Sequence, residues 1–418
     1  MKKMVDIFDI SYDGSGVGKI DGKVVFVPKS LYGEKVEVEV VKDTSSFYVG
    51  RVLNMIEKNK SRIVPKCPYF EKCGGCDFQH CDSNMEKEIK KNILKNELKK
   101  VGWWGDVEYV ESDKRFAYRN KIKFEVFENK LGYFESKSHK FLEVKRCEIA
   151  DEKINEALEK ISLFLFKNNL KNLKNVYIKI VGEKIAICFL FDKTSQKIKK
   201  NIKKIDIFDG FSVFFAYGDV LESDKTKVFC MYGNQKLISD LGDVEVEQDI
   251  SAFNQINNFV AKKLYDFIVE QTTNSRVVNA YSGQGLLSYL ISKKAKIVYG
   301  IECQKSAHLK AERLKEKCKA NKLENICGKV EDCLQTVLLA DRIDAVVLDP
   351  ARQGCDKKVL QAILNEKIEK IIYISCNFST LIRDLKILKE KYELKKVSIF
   401  DMFPCTSNLE TAVVLERK

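Results

Sequence analysis

Apolar and polar positions alternate in short runs over the first 57 residues. Val5 to Ile10, Val17 to Ile20, Lys23 to Val27, Glu34 to Val41 and Phe47 to Leu53 each read as a strand. Tyr12-Asp13-Gly14-Ser15-Gly16 and Asp21-Gly22 supply turns between them. Five short strands in so few residues suggest a small Greek-key barrel of the oligonucleotide-binding type. The period then changes. Ile89, Ile93, Leu94 and Leu98 mark one face of a charged helix over Asn84 to Val101. Residues 116–240 mix strand patterns at Lys121 to Phe127, Val176 to Val181 and Lys184 to Phe191 with a helix near 151–167, an α+β region. From about residue 245 strands and helices alternate. A helix over Phe253 to Gln271 precedes strands at Arg276 to Tyr281, Lys296 to Ile301, Ala345 to Leu348 and Lys370 to Ile374, with helices between, one of them over Ser306 to Asn321. That alternation predicts an α/β doubly wound parallel sheet. The expected units are 1–57, 58–244 and 245–418.

The 418 residues carry 73 Lys and Arg against 60 Asp and Glu, a net charge of +13 not gathered in a tail. Such an excess suits a partner rich in phosphate, RNA or DNA. No apolar run approaches a membrane span, and the start lacks the apolar stretch of a signal peptide, so a cytoplasmic protein is expected. Fourteen cysteines then read as reduced thiols. Most stand alone and read as small buried residues.

Chemistry gathers at the predicted strand ends. Ala280-Tyr281-Ser282-Gly283-Gln284-Gly285 is a glycine turn opening a helix, where backbone can approach a ligand. Ser288 stands where a dinucleotide fingerprint would have its third glycine, which disfavours NAD. Glu302 ends the next strand and is placed to accept ribose hydroxyls. Glycine turn plus ribose acid, without the pyrophosphate fingerprint, favours S-adenosylmethionine. Asp349, opening Asp349-Pro350-Ala351-Arg352-Gln353-Gly354, Cys376, in Ser375-Cys376-Asn377, and Glu410 stand at three further strand ends. A thiolate, a carboxylate and a methyl donor suit methylation of a pyrimidine at C5. The thiolate adds at C6, C5 takes the methyl group, and a base removes the C5 proton.

Three cysteines also fall within ten residues, Cys67, Cys73 and Cys76, with Cys147 far along the chain. Their spacing is not that of a paired zinc ribbon, and it leaves an iron–sulfur centre, zinc or no metal open. His80 and Cys81 are rival ligands by proximity. Nearby, Phe116-Ala117-Tyr118-Arg119-Asn120-Lys121 offers Arg and Tyr for phosphate contact and base stacking.

Together these segments resemble the RNA uracil-C5 (5-methyluridine) methyltransferase family, in its branch with an N-terminal TRAM domain and an iron–sulfur cluster. The likeness is carried by Phe253-Asn254-Gln255, the Tyr281 to Gly285 turn, Gly300-Ile301-Glu302, Asp349 to Gly354, Ser375-Cys376-Asn377 with Thr380-Leu381-Ile382-Arg383-Asp384, and Asp401-Met402-Phe403-Pro404 ending in Glu410. Cys73-Gly74-Gly75-Cys76-Asp77-Phe78-Gln79-His80 and Lys145-Arg146-Cys147 match its cluster segments. The resemblance implies a TRAM barrel over 1–57, a central RNA-binding domain with the cluster over 58–244, and a Rossmann-like methyltransferase domain over 245–418. It further implies Cys376 as nucleophile and Glu410 as base. Gln255, Tyr281, Gly283, Gly285, Glu302 and Asp349 would bind S-adenosylmethionine, and Cys67, Cys73, Cys76 and Cys147 a [4Fe-4S] cluster. The substrate implied is structured RNA, 23S rRNA in this branch, with no obligate protein partner. Alternatives are a tRNA substrate, a cytosine-C5 enzyme, or an RNA-binding iron–sulfur protein without catalysis. The chain departs from the family pattern at Asn279, Ala351, Phe378, Cys405 and Asn408.

Overall fold

The computed structural model describes residues 2–418 apart from 137, 193–204, 224, 241–243 and 253. Phe253, which opens one of the family-like segments, lies outside the described residues.

The first 57 residues form one six-stranded sheet. The run expected as a single strand over Val5 to Ile10 is two, Lys2–Asp6 and Asp9–Ile10. The break has a local cause: the Ile7 and Phe8 amides turn to Glu34 and Val17 carbonyls on different strands. The sheet curls because Gly18 carries no side chain where Val5 fills the space above it. Val5, Val25, Val27, Val36 and Val38 line the interior.

The central region is a seven-stranded sheet under the helix Glu152–Asn168. Asp151 caps that helix by accepting from the Lys153 amide, and Asn169 ends it at φ 42°. A phenylalanine core of Phe164, Phe189, Phe208 and Phe215 fills the interface.

The C-terminal sheet has eight strands. Leu323–Cys327, Ile297–Glu302, Arg276–Ala280, Ala345–Leu348 and Lys370–Ser375 lie parallel in that order. Glu410–Arg417 then inserts antiparallel between Lys370–Ser375 and Tyr392–Phe400. The sheet is therefore mixed, not wholly parallel as the alternation suggested. Leu323–Cys327 is an edge strand that the pattern did not signal. The outermost strand, Glu108–Val110, comes from the central segment and pairs parallel with Tyr392–Phe400. A unit running 58–244 thus sends part of itself into the C-terminal domain. The helix expected from Phe253 starts at Asn258, because the Asn257 side chain accepts from the Phe259 amide and caps it there. Among the described residues no helix is long and apolar enough to cross a membrane.

The helix Ser83–Leu98 also crosses between units. Asp82 caps it, accepting from Met85 N at 2.8 Å, and Ile89, Ile93, Leu94 and Leu98 bury against the C-terminal core. Lys90 is buried on the same helix. Its ammonium donates to Glu86 (2.8 Å), Asp401 (2.9 Å) and the Phe403 carbonyl (3.1 Å). Burial alone would push this amine down, but the two carboxylates outweigh it and hold Lys90 charged. Replacing it leaves two buried carboxylates facing each other. Lys90→Met should cost about 3 kcal/mol, the low end for a broken buried pair because Arg115 still faces Glu86. Equilibrium unfolding in urea, followed for the C-terminal domain, measures it. A loss under about 1 kcal/mol would mean the network contributes little.

Candidate active site

The sheet order puts the carboxyl ends of the parallel strands along one crevice. Glu302 stands at one of them. Its carboxylate accepts from Gly283 N at 2.9 Å and Gln304 N at 2.7 Å, which ties the glycine turn to the second strand. The turn needs its glycines. Gly283 and Gly285 take φ of 57° and 83°, and a Cβ on Gly285 would lie 2.6 Å from the Ala311 methyl. Asn279, one of the departures, is buried and donates to Ser288 Oγ at 2.8 Å, so the absent glycine at 288 is occupied by a working partner.

Asp349, Cys376 and Glu410 meet in one recess. The reason is register: Ser375 pairs with Thr411 across antiparallel strands, so the next pair outward is Cys376 and Glu410. Burial raises the Cys376 thiol above its ordinary value. Glu410 and Asp349 push it further up, while the Arg352 guanidinium, hydrogen-bonded to it, pulls it down. Burial pushes Asp349 up to about 7. Glu410 is held well above the usual carboxylate range, by burial first and by Asp349 second. Burial and mutual repulsion thus raise the proton affinity of both carboxyls in the recess.

The sequence alone gives no task to Arg352, Thr380, Arg383 or Asp384. The structure gives all four one. Asp384, fully buried, accepts from the Cys355 amide (2.9 Å) and the Tyr373 hydroxyl (2.6 Å). Arg383 donates to Asp384 and to the Gln353 and Cys355 carbonyls. Thr380 Oγ1 and Asn377 Nδ2 donate to the Arg352 carbonyl. Together they fix the loop that presents Arg352 to Cys376. The signal was there, since spacings of three and four put Thr380, Arg383 and Asp384 on one helix face.

Gln255 and Tyr281 sit differently. The Gln255 carbonyl accepts from Asn120 Nδ2 at 3.0 Å, and neighbouring Asn254 accepts from buried Lys179. The Tyr281 hydroxyl turns to the Cys355 thiol. Among the described residues neither side chain bonds to Glu302 or Asp349.

Cys67, Cys73, Cys76 and Cys147 line one cavity of about 940 Å³. Backbone amides point at their sulfurs, Gly75 N to Cys73 at 3.4 Å and Ala150 and Ile149 to Cys147. The rival ligands lie elsewhere. Cys81 is buried against the Phe78 carbonyl, and His80 is buried beside the Phe70 ring. Among the described residues no three His, Cys, Asp or Glu side chains are gathered as a single metal ion would need. Tyr118 corrects another expectation. It is buried, with its hydroxyl on the Pro404 carbonyl at 3.0 Å, and cannot stack on bases.

The strand order, the crevice and the glycine turn define an S-adenosylmethionine-dependent methyltransferase. Residues 331–418 match the tRNA (uracil-5-)-methyltransferase family model, and residues 3–53 match the TRAM domain. An uncharacterized RNA methyltransferase of Halalkalibacterium halodurans is 31% identical over 99% of this chain and 96% of its own length. One from Fusobacterium nucleatum is 31% identical over 100% and 97%. The crystal structure of Pyrococcus abyssi tRNA (uracil-54, C5)-methyltransferase with S-adenosyl-L-homocysteine superposes over 99% of this chain and all of that one, with a TM-score of 0.80 and 23% identity. The chain belongs to the RNA uracil-C5 methyltransferase family and carries an N-terminal TRAM domain. It methylates RNA uridine at C5 with S-adenosylmethionine as donor.

The charge balance around Cys376 can be read directly. Its alkylation rate should still be rising between about pH 8 and pH 10, followed by mass spectrometry of the Cys376 peptide. Arg352→Gln should move the profile to higher pH. A plateau reached near pH 7 would mean the thiol is depressed rather than raised.

Proposed function

We propose that Cys376 is the nucleophile and Glu410 the base in methylation of uridine in 23S rRNA. The observation that carries the roles is the register that opposes Cys376 and Glu410 across two antiparallel strands. Cys376 Sγ adds to C6 of the uracil ring, and the electrons of the C5–C6 bond become an enolate. C5 takes the methyl group that the sulfonium donor supplies. Glu410 then removes the C5 proton, the C5–C6 double bond re-forms, and the Cys376 thiolate leaves. Arg352 lowers the cost of the thiolate at the first and last steps. For donor binding we assign Gly283, Gly285 and Glu302 to the ribose side and Asp349 to the mouth of the recess. Gln255 and Tyr281 join them by resemblance alone.

We further infer that Cys67, Cys73, Cys76 and Cys147 hold a [4Fe-4S] cluster. Four thiols line one roomy cavity, with amides aimed at the sulfurs of Cys73 and Cys147, as a cluster would need. Such a cluster supplies cross-linking here, since no step above moves an electron. The choice of 23S rRNA follows from the resemblance to the family branch that has both a TRAM domain and a cluster. A second reading, tRNA, is favoured by the Pyrococcus abyssi tRNA (uracil-54, C5)-methyltransferase, whose chain superposes over nearly all of this one. Either RNA would be met in the cytoplasm.

Mass spectrometry of 23S rRNA and tRNA fragments from cells with and without the protein decides between the substrates. A methyluridine lost from tRNA alone overturns the 23S assignment. For the roles, Glu410→Gln should add to RNA and methylate it yet release it slowly. A covalent adduct carrying label from the methyl donor should then survive denaturing gels. Cys376→Ala should form no adduct while binding S-adenosylhomocysteine normally. Wild-type turnover by either variant would reject its role.

Protein purified without oxygen should be brown and carry about four irons per chain. Stoichiometric zinc with no iron would reverse that assignment.

A further inference from the structure

The TRAM barrel touches Phe378, two places after Cys376, through Tyr12. Ser11 to Ser15 form a tight turn held from within: Gly14 N donates to the Ser11 carbonyl, Ser11 Oγ to Asp13 (2.6 Å) and the Ser15 carbonyl (2.8 Å), and Ser15 N to Asp13. Tyr12 stands at its tip with 68% of its surface exposed. Its ring meets Phe378 edge to face, centroids 6.2 Å apart at 70°. Phe378 is the first residue of the helix Phe378–Leu388, two places after Cys376, and its inner side packs on the core.

Nothing in the fold needs an exposed tyrosine here, yet its position is fixed on two sides. A Cβ on Gly14 would lie 3.0 Å from Asp77 and 3.2 Å from the Phe78 ring, so the turn rests on that segment. The Asp77 and Phe78 amides in turn hold the Cys405 carbonyl at 2.9 Å, in the loop that leads to Glu410. The Tyr12 ring is thus set relative to both reacting groups. Asp13, beside it, spends its carboxylate inside the turn.

A uridine can offer C6 to one side chain and C5 to another only after leaving its stack. Its neighbours then lose a stacking partner, and an aromatic surface can replace it. We propose that Tyr12 and Phe378 form a platform on which an unpaired RNA base flanking the target uridine stacks. An edge-to-face pair leaves a Tyr12 face free for it. The proposal rests on Cys376 marking where the uridine enters. Phe378, a departure from the family pattern, then has a use.

Binding, not turnover, tests it. The probes are a single-stranded oligouridylate of about 12 nucleotides and an abasic strand with the same phosphates. Tyr12→Ala should weaken oligouridylate binding about tenfold and leave the abasic strand unaffected. Tyr12→Phe should bind as wild type, because the ring and not the hydroxyl is used. Tyr12→Trp should show fluorescence quenched by oligouridylate and not by the abasic strand. Unchanged S-adenosylhomocysteine affinity shows that each variant is folded. The same measurements in Cys376→Ala protein keep this test apart from that of the nucleophile. Wild-type binding by Tyr12→Ala, equal losses on both strands, or Tyr12→Phe failing with Tyr12→Ala would each overturn the platform.

Discussion

The pairing of Lys370–Ser375 with Glu410–Arg417 is the constraint on which the recess depends. A parallel sheet gathers only carboxyl ends along its crevice. An antiparallel strand brings its amino end to the same edge, so Glu410, the first residue of the last strand, faces Cys376, just past the end of the fifth. A slip of one residue would turn Glu410 to the other face of the sheet. Ala412, Val413, Val414 and Leu415 are all buried, so the strand is packed on both faces. The register also sets a demand on the loop from Asp401 to Leu409. It must deliver the chain to Thr411 in phase, and it has little regular structure of its own. Its polar groups are bound from outside the domain: Phe403 by Lys90, Pro404 by Tyr118, the Cys405 amide by Glu86 and its carbonyl by Asp77 and Phe78. The buried charges on Ser83–Leu98 are there to hold a loop that cannot hold itself.

The same closeness governs the electrostatics. Asp349, Cys376 and Glu410 share a dry recess: Asp349 raises the proton affinity of Glu410, and both carboxylates raise that of Cys376. Arg352 is the cation that works against this. Its loop has no regular structure, and the Asp384, Arg383 and Thr380 bonds give it the rigidity that regular structure would otherwise supply. Gly354, at φ 76°, lets that loop close, because a Cβ there would meet Arg383, Asp384 and Thr380 within 3.0 Å.

What the sequence made legible was local. Strand ends, the glycine turn and the helix Ser83–Leu98 follow from period and composition, and the residues at strand tips were found that way. What it hid was pairing at a distance. Glu108–Val110 is three residues long and carries no pattern that would assign it to a sheet almost 300 residues later. Leu323–Cys327, Leu-Glu-Asn-Ile-Cys, is an edge strand whose exposed positions break the apolar run expected of a buried parallel strand. Glu86 and Lys90 have the i, i+4 spacing of any helix-surface pair, and nothing local in the sequence marks the packing with Asp401 that makes them a buried network. Tyr118 misled for the opposite reason. Its basic neighbours suggested RNA, while it is buried with its hydroxyl on the Pro404 carbonyl.

The segment from Cys73 to Phe78 touches the central domain, the TRAM turn and the loop before Glu410. Ser136 N on the central domain donates to the Lys72 carbonyl beside Cys73. Gly14 of the TRAM turn presses on Asp77 and Phe78. The Cys405 carbonyl accepts from the Asp77 and Phe78 amides, and the Ser407 amide donates to the Asp77 carboxylate at 2.8 Å. Glycines at 74 and 75 make the segment flexible by nature, and an isolated loop of this composition would not hold four such contacts in place. Its own contribution is two thiols, Cys73 and Cys76, turned into the shared cavity. Under the proposed ligation, a cluster held at those thiols would act at one end of a short path whose other end is the loop before Glu410, a restraint that needs no electron transfer.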